Sequence, residues 1–279
     1  MKKFFALVLA LLTVFALCSC SKIDAGKDLE NVRSKGKIVV GMECTYAPYN
    51  WAQPTANEYT VKNTSGLYAD GYDVQIARLV AEQLGVELEI QAIKWEGLLT
   101  ALESGQIDMI IAGMSPTEGR KLSIDFTDTY FDSNLVMVVR KDGAYTSATS
   151  ISDFSGAKIT GQHNTFHYDV IDQIKGVNKQ TALETFAALM QSLKSGAVDG
   201  YVCEKPGAVS AVASNPEFTY IEFEKGNGFV CDPAESSISI GIRKGSSLAE
   251  ELNRILSTLT TAQKEAMMDA AIARQPAEE

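Results

Sequence analysis

A chain of 279 residues with 46% hydrophobic and 22% charged side chains is globular in composition and long enough to bury one large core or two smaller ones. Its formal charge of -10 disfavours nucleic acid and other polyanionic partners, which leaves a small ligand as the easier binding class. Neither a Gly-x-x-x-x-Gly-Lys-Ser/Thr loop nor a Gly-x-Ser-x-Gly elbow occurs, so nothing points to bound ATP or serine-hydrolase chemistry, and no cofactor is expected.

At the N-terminus Lys2 and Lys3 precede an apolar run over 4–17 that ends in Leu17-Cys18-Ser19-Cys20. The run falls short of the roughly 20 residues that span a bilayer core, so residues 1–19 read as a secretory signal. Leu-x-Ser-Cys resembles the bacterial lipoprotein signal. That resemblance implies lipidation of Cys20, a tether over 20–27, and a place on the extracytoplasmic face of the cell membrane. Cys44, Cys203 and Cys231 then remain, enough for one disulfide at most or for three small buried side chains.

Past the tether an α/β alternation begins. A capping helix is expected over 28–34 and a buried strand over 37–41. The stretch 71–85 carries apolar residues at helical spacing and ends in Gly85, a ready C-cap; a strand follows over 86–93. A second helix over 95–105 and a short strand over 107–112 complete two β-α units, whose close spacing favours parallel crossovers. After the strand Leu135–Arg140 and a polar stretch over 142–150, the alternation restarts at 158–161. It continues with a helix over 183–195, a strand over 198–203 and a helix over 208–214. The chain then returns through Ser237–Arg243 to helices over 247–259 and 262–274. The expected division is a discontinuous first lobe, 28–134 with 236–279, and a second lobe, 135–235.

Six fragments, taken in order, carry a resemblance: Gly41-Met-Glu-Cys-Thr-Tyr-Ala-Pro-Tyr49, Gly71-Tyr-Asp-Val, Trp95-Glu-Gly-Leu, Ala112-Gly-Met-Ser-Pro-Thr-Glu-Gly-Arg120, Asp125-Phe-Thr-Asp-Thr-Tyr130 and Gly241-Ile-Arg-Lys244. Together with Val198-Asp199 they are similar to the polar amino-acid-binding proteins of ABC importers, solute-binding protein family 3. The resemblance implies an α/β, two-lobed periplasmic-binding-protein type II fold with two hinge strands and a central ligand cleft. It also implies a monomer that hands its ligand to ABC permease membrane subunits served by a separate ATPase.

A zwitterion enclosed between lobes needs a fixed partner for each charge. Arg120 resembles the family's carboxylate arginine, whose planar fork grips two oxygens at once. Ser115 and Gly113 would add donors from the same loop, with Gly113 also near the ammonium. Gly161-Gln-His-Asn-Thr165 resembles the facing loop that offers a Gly-Thr pair; here Asn164 replaces the glycine, and asparagine tolerates positive φ better than most residues. Thr165 is therefore a further carboxylate candidate. Glu204 stands where the family more often places an aspartate for the ammonium. For the ligand side chain the candidates are Glu43, an aromatic sandwich of Tyr46 and Trp95, and Trp51 at the cleft edge.

Glu43 points to a cationic amino acid, that is arginine, lysine, ornithine or histidine, with glutamine or another polar amino acid as the alternative. Trp95 packing a helix start and Tyr46 filling the core are the plainer readings of those two rings. A cyclohexadienyl-dehydratase-like enzyme on the same fold is the alternative of a different class, with Glu204 as its acid; Glu43 would repel its dicarboxylate substrate. His163 and His167 lie four apart without a third metal ligand beside them, and read as loop and surface residues; no metal site is expected.

Overall fold

The computed structural model describes residues 23–276, so the expected signal sequence and Cys20 lie outside the described residues. Two five-stranded sheets organise the chain. In the first the order is Glu87–Ala92, Lys37–Met42, Met109–Ile110, Ser237–Arg243, Ile124–Asp132. Its first three strands run parallel, and the fourth runs antiparallel to both of its neighbours. The second follows the same plan with Asn178–Lys179, Lys158–Thr160, Gly200–Glu204, Leu135–Arg140 and Phe218–Ile221. The fold is α/β and two-lobed, as the sequence implied.

Two connections join the lobes. Ile124–Asp132 leaves the first sheet and, two residues on, Leu135–Arg140 enters the second. The return strand Ser237–Arg243 lies antiparallel to Ile124–Asp132, with Ser237 opposite Asp132. Neighbouring antiparallel strands are a compact way to let two bodies rotate about one line, because the φ/ψ change is confined to a few residues at their ends.

Local chemistry explains most element boundaries. The helix Tyr72–Leu84 buries Val74, Ile76, Ala77, Val80 and Ala81 and ends at Gly85, whose φ of 67° lets its amide reach the carbonyls of Ala81 and Glu82. Gly71, at its start, has no substitute: a Cβ there would lie 2.2 Å from the Tyr49 carbonyl oxygen. The helix Lys205–Ser214 starts earlier than the periodicity predicts, because Pro206 in its first turn has no N–H to leave unpaired. A four-stranded sheet of Thr45–Tyr46, Asn50–Gln53, Tyr68–Asp70 and Val61–Lys62 was not legible, since runs of two to four residues carry no period.

Buried charges pin the first lobe. Arg243 Nη2 lies 2.8 Å from Asp28 Oδ1, and both residues are buried, which fixes the first helix, Asp28–Lys35, to the strand Ser237–Arg243. The C-terminal helix Thr261–Arg274 packs on Tyr72–Leu84 but does not stay within one lobe. Beyond its end Gln275 Nε2 donates to the Ser210 carbonyl at 2.9 Å and to the Ser214 hydroxyl at 3.2 Å, both on the second-lobe helix Lys205–Ser214. Cys44 and Cys203 are free, buried thiols. No helix among the described residues is long and apolar enough to cross a membrane.

Candidate ligand-binding site

The loop after Met109–Ile110 turns into the short helix Glu118–Lys121, whose N-cap Thr117 accepts the Arg120 amide at 3.4 Å. This cap folds Arg120 back over its own loop, where Nη1 donates to the Ser115 carbonyl at 2.8 Å. Its other terminal nitrogen, Nη2, crosses to the second lobe and donates to the Asn164 carbonyl at 2.9 Å. The guanidinium stands 5.0 Å from the Trp95 ring centroid, and Trp95 Nε1 reaches the same Asn164 carbonyl at 3.4 Å. The acceptors are neutral carbonyls; among the described residues no carboxylate pairs with this cation. Burial pushes its pKa down to about 10, against the pull of Glu204 and Asp169.

Asn164 has a φ of 57°, the left-handed conformation that the replacement of glycine by asparagine left accessible. Around it a cavity of about 820 Å³ is lined by Arg120, His163, Asn164, Thr165, Phe166 and Cys231, among others. Glu204 is not among its lining residues and sits deeper.

Glu204 ends the strand Gly200–Glu204 and caps the following helix, 1% exposed. Its Oε2 accepts the Tyr46 hydroxyl, a hydrogen bond from the first lobe to the second. Its Oε1 is 2.8 Å from His167 Nε2, an ion-pair contact off the line of a hydrogen bond. Burial alone would raise the Glu204 carboxyl; the adjoining His167 ring and the hydrogen bond from Tyr46 outweigh it and hold the group below the ordinary carboxylate range. Buried polar atoms without a hydrogen-bond partner among the described residues gather here: the Tyr49 hydroxyl, both ring nitrogens of His167 and Glu204 Oε1. Such groups are costly, at about 1–3 kcal/mol each, and mark a place built for another polar group.

The remaining predicted residues fall into two sets. Glu43 is half-buried on the first-lobe rim and accepts from Gln162 Nε2 of the second lobe at 3.3 Å. Burial raises its carboxyl, bonds from Thr45 and Gln162 oppose the rise, and the nearby Glu96 adds to it. Ser115 is buried beside Arg120, offering its carbonyl.

Four expectations change. Tyr46 does not face Trp95: it stacks on Phe186 of the second lobe, centroids 4.0 Å apart and planes 15° off parallel, while Trp95 faces Arg120. Gly113 cannot be a free donor, since its N–H is taken by Asp73; it is needed as glycine because a Cβ would press within 3.0 Å of the Tyr46 ring. The Thr165 hydroxyl is spent on the Gln162 carbonyl at 2.7 Å. Trp51 is buried in the small sheet with its indole nitrogen on Gln53 at 3.1 Å, and among the described residues no hydrogen bond or ring contact joins it to Arg120, Tyr46 or Glu204.

His167 corrects a fifth reading, since it is buried against Glu204 rather than at the surface. Phe186 and Gln162 were not singled out at all. Nothing local marks them, because each is brought to the cleft by the second sheet from a different turn of chain.

A cleft closed by polar groups from two α/β lobes, with paired hinge strands behind it, is the architecture of a type II periplasmic binding protein. The chain belongs to the bacterial extracellular solute-binding proteins, family 3, whose family profile matches residues 38–269. It is 28% identical over 264 residues to the arginine-binding extracellular protein ArtP of Bacillus subtilis, covering 92% of each chain. With the glutamine-binding protein GlnH of the same organism it shares 26% identity over 270 residues, again 92% of each. The arginine-bound form of truncated ArgBP from T. maritima superposes with a TM-score of 0.68 at 29% identity, over 83% of this chain and all of that one.

Proposed function

We propose that this chain is the extracytoplasmic binding subunit of an ABC amino-acid importer. It closes its two lobes, 28–134 with 236–279 and 135–235, around one cationic amino acid and presents the closed form to the permease. The observation that carries this reading is Arg120: a desolvated guanidinium on the inter-lobe surface whose bonds end on neutral carbonyls. A half-buried, partly desolvated cation without an anion is costly, and a ligand carboxylate laid against its fork is the group that would compensate it. Main-chain N–H groups of the Asn164–Thr165 turn would share that carboxylate, and Glu204 would take the ammonium.

The cationic side chain is assigned from Glu43, half-buried with Gln162 as a neutral donor and Glu96, itself 3.8 Å from His163, as an acidic neighbour; among the described residues no lysine or arginine pairs with either carboxylate. ArtP and ArgBP, named for arginine, support the same choice. Binding work is done by enclosure, and no chemical step is assigned to the site. Cys20 would carry the lipid that holds the protein at the membrane.

A thermal-shift screen of the purified protein against the common amino acids tests the reading. A ligand that binds only the native state at 100 times its dissociation constant stabilises it by about 2.7 kcal/mol. Arginine, lysine, ornithine or histidine should raise the melting temperature, and Arg120→Ala should remove the shift by leaving the carboxylate unpaired, at a cost of about 2–5 kcal/mol. Silence from all four cations with a shift from glutamine would overturn the ligand class; silence from every amino acid would overturn the function.

A further inference from the structure

The acid end of the cleft is already occupied by a protein group. Glu204 is the carboxylate assigned above to the ligand ammonium, yet Tyr46 holds one of its oxygens and His167 Nε2 stands 2.8 Å from the other. His167 and Glu204 are 4% and 1% exposed, so neither can turn to water without the lobe opening. Among the described residues both ring nitrogens of His167 lack a hydrogen-bond partner, as does Glu204 Oε1. An imidazole and a carboxylate in van der Waals contact, both dry, form a favourable pair when the ring carries a proton. A second cation at the same carboxylate would meet that charge at close range.

We propose that His167 is a stand-in for the ligand ammonium, and that the arriving ammonium displaces the proton from its ring, so that ligand capture releases a proton to solvent. This rests on the proposed function, because Glu204 must be the ammonium partner. The balance is simple: protonated His167 paired with Glu204 exchanges for ligand ammonium paired with Glu204, the imidazole is left neutral, and one proton leaves. Neutral His167 then has a nitrogen lone pair to accept from the ammonium, which satisfies one of the two orphaned ring nitrogens.

Other charges around the ring do not supply the same exchange. From the strand Gly200–Glu204 the ring meets Glu204, beside which lies the buried thiol of Cys203. Facing Glu204 from the first lobe are the Tyr46 and Tyr49 hydroxyls, both held neutral by burial, and the field of Arg120, whose charge persists at every working pH. On its own short helix, Phe166–Asp169, the ring lies 4.5 Å from Phe166, and Asp169 faces the cavity with Arg120. His167 is thus the ionisable ring in contact with Glu204, with Nε2 2.8 Å from its Oε1.

The sign of the pH dependence follows. The ligand competes with a proton, so affinity rises with pH, by up to tenfold per unit while the ring is protonated in the free protein, and levels off once it is not. Titration calorimetry with L-arginine at about pH 6, in buffers of different ionisation enthalpy, measures the released protons directly. The wild-type protein should release up to one proton per arginine. His167→Gln, which keeps a donor without a titratable charge, should bind arginine with little release and a flat pH profile.

Arginine binding without proton release by the wild-type protein overturns the exchange, as does the same release from a folded His167→Gln. The wild-type measurement decides the question even if that variant fails to fold. Failure of any amino acid to bind would fell the proposed function itself, a different result from binding that is proton-neutral.

Discussion

Arg120 of the first lobe donates to the main-chain carbonyl of Asn164 in the second at 2.9 Å, and Asn164 can offer that carbonyl because its φ is 57°. The conformation that lets the loop turn is thereby tied to the group that would read a carboxylate.

Substitution at Asn164 should separate these two roles. Left-handed backbone costs an ordinary L-residue about 1–2 kcal/mol, and more for a β-branched one. Asn164→Val should lower the melting temperature and weaken amino-acid binding together, whereas Asn164→Gly should retain both. Equal behaviour of the two variants, by thermal melting and calorimetry, would detach the backbone conformation from the site.

Glu43 should govern charge discrimination. Citrulline has nearly the shape of arginine but a neutral urea in place of the guanidinium. Losing a hydrogen bond to a charged partner costs about 1.5–3 kcal/mol, so the wild-type protein should prefer arginine by about tenfold or more. Glu43→Gln should narrow that preference chiefly by weakening arginine. A preference unchanged by the substitution would place the cation elsewhere in the cleft.

Asp73 should leave a signature in stability. It is buried, accepts from Tyr130 Oη at 2.7 Å and Asn50 Nδ2 at 2.8 Å, and also from Gly113, which connects it to the loop under Tyr46. Burial nevertheless pushes its pKa up to about 6. Unfolded, it titrates near about 4. The native state therefore holds the proton more tightly, and this group's contribution is complete below about pH 4 and is lost as pH rises through about 6. Denaturant unfolding of the wild type and of Asp73→Asn across that window should differ in slope by this one group; parallel profiles would show that the three donors keep Asp73 charged.

Much of the first lobe could be read from local chemistry. Gly85 stops the helix Tyr72–Leu84 because it can take a positive φ. Arg120 and Ser115 are five residues apart and stay together because one short loop holds them both. The aromatic pairing was not legible, since the choice between Trp95 and Phe186 as the face for Tyr46 depends on where the second lobe lies.

The sequence by itself determined the family, the α/β alternation and the kinds of charge the cleft would carry, because these depend on residue type and on contacts within a few turns of chain. Tertiary structure decided which groups meet: Tyr46 with Phe186 and Glu204, Gly113 with Asp73, and above all His167 with Glu204, buried rather than at the surface. Those contacts join residues dozens to more than a hundred positions apart. Such partners are selected by the packing of whole sheets and by the angle at which two lobes close, and neither quantity has a local period to read.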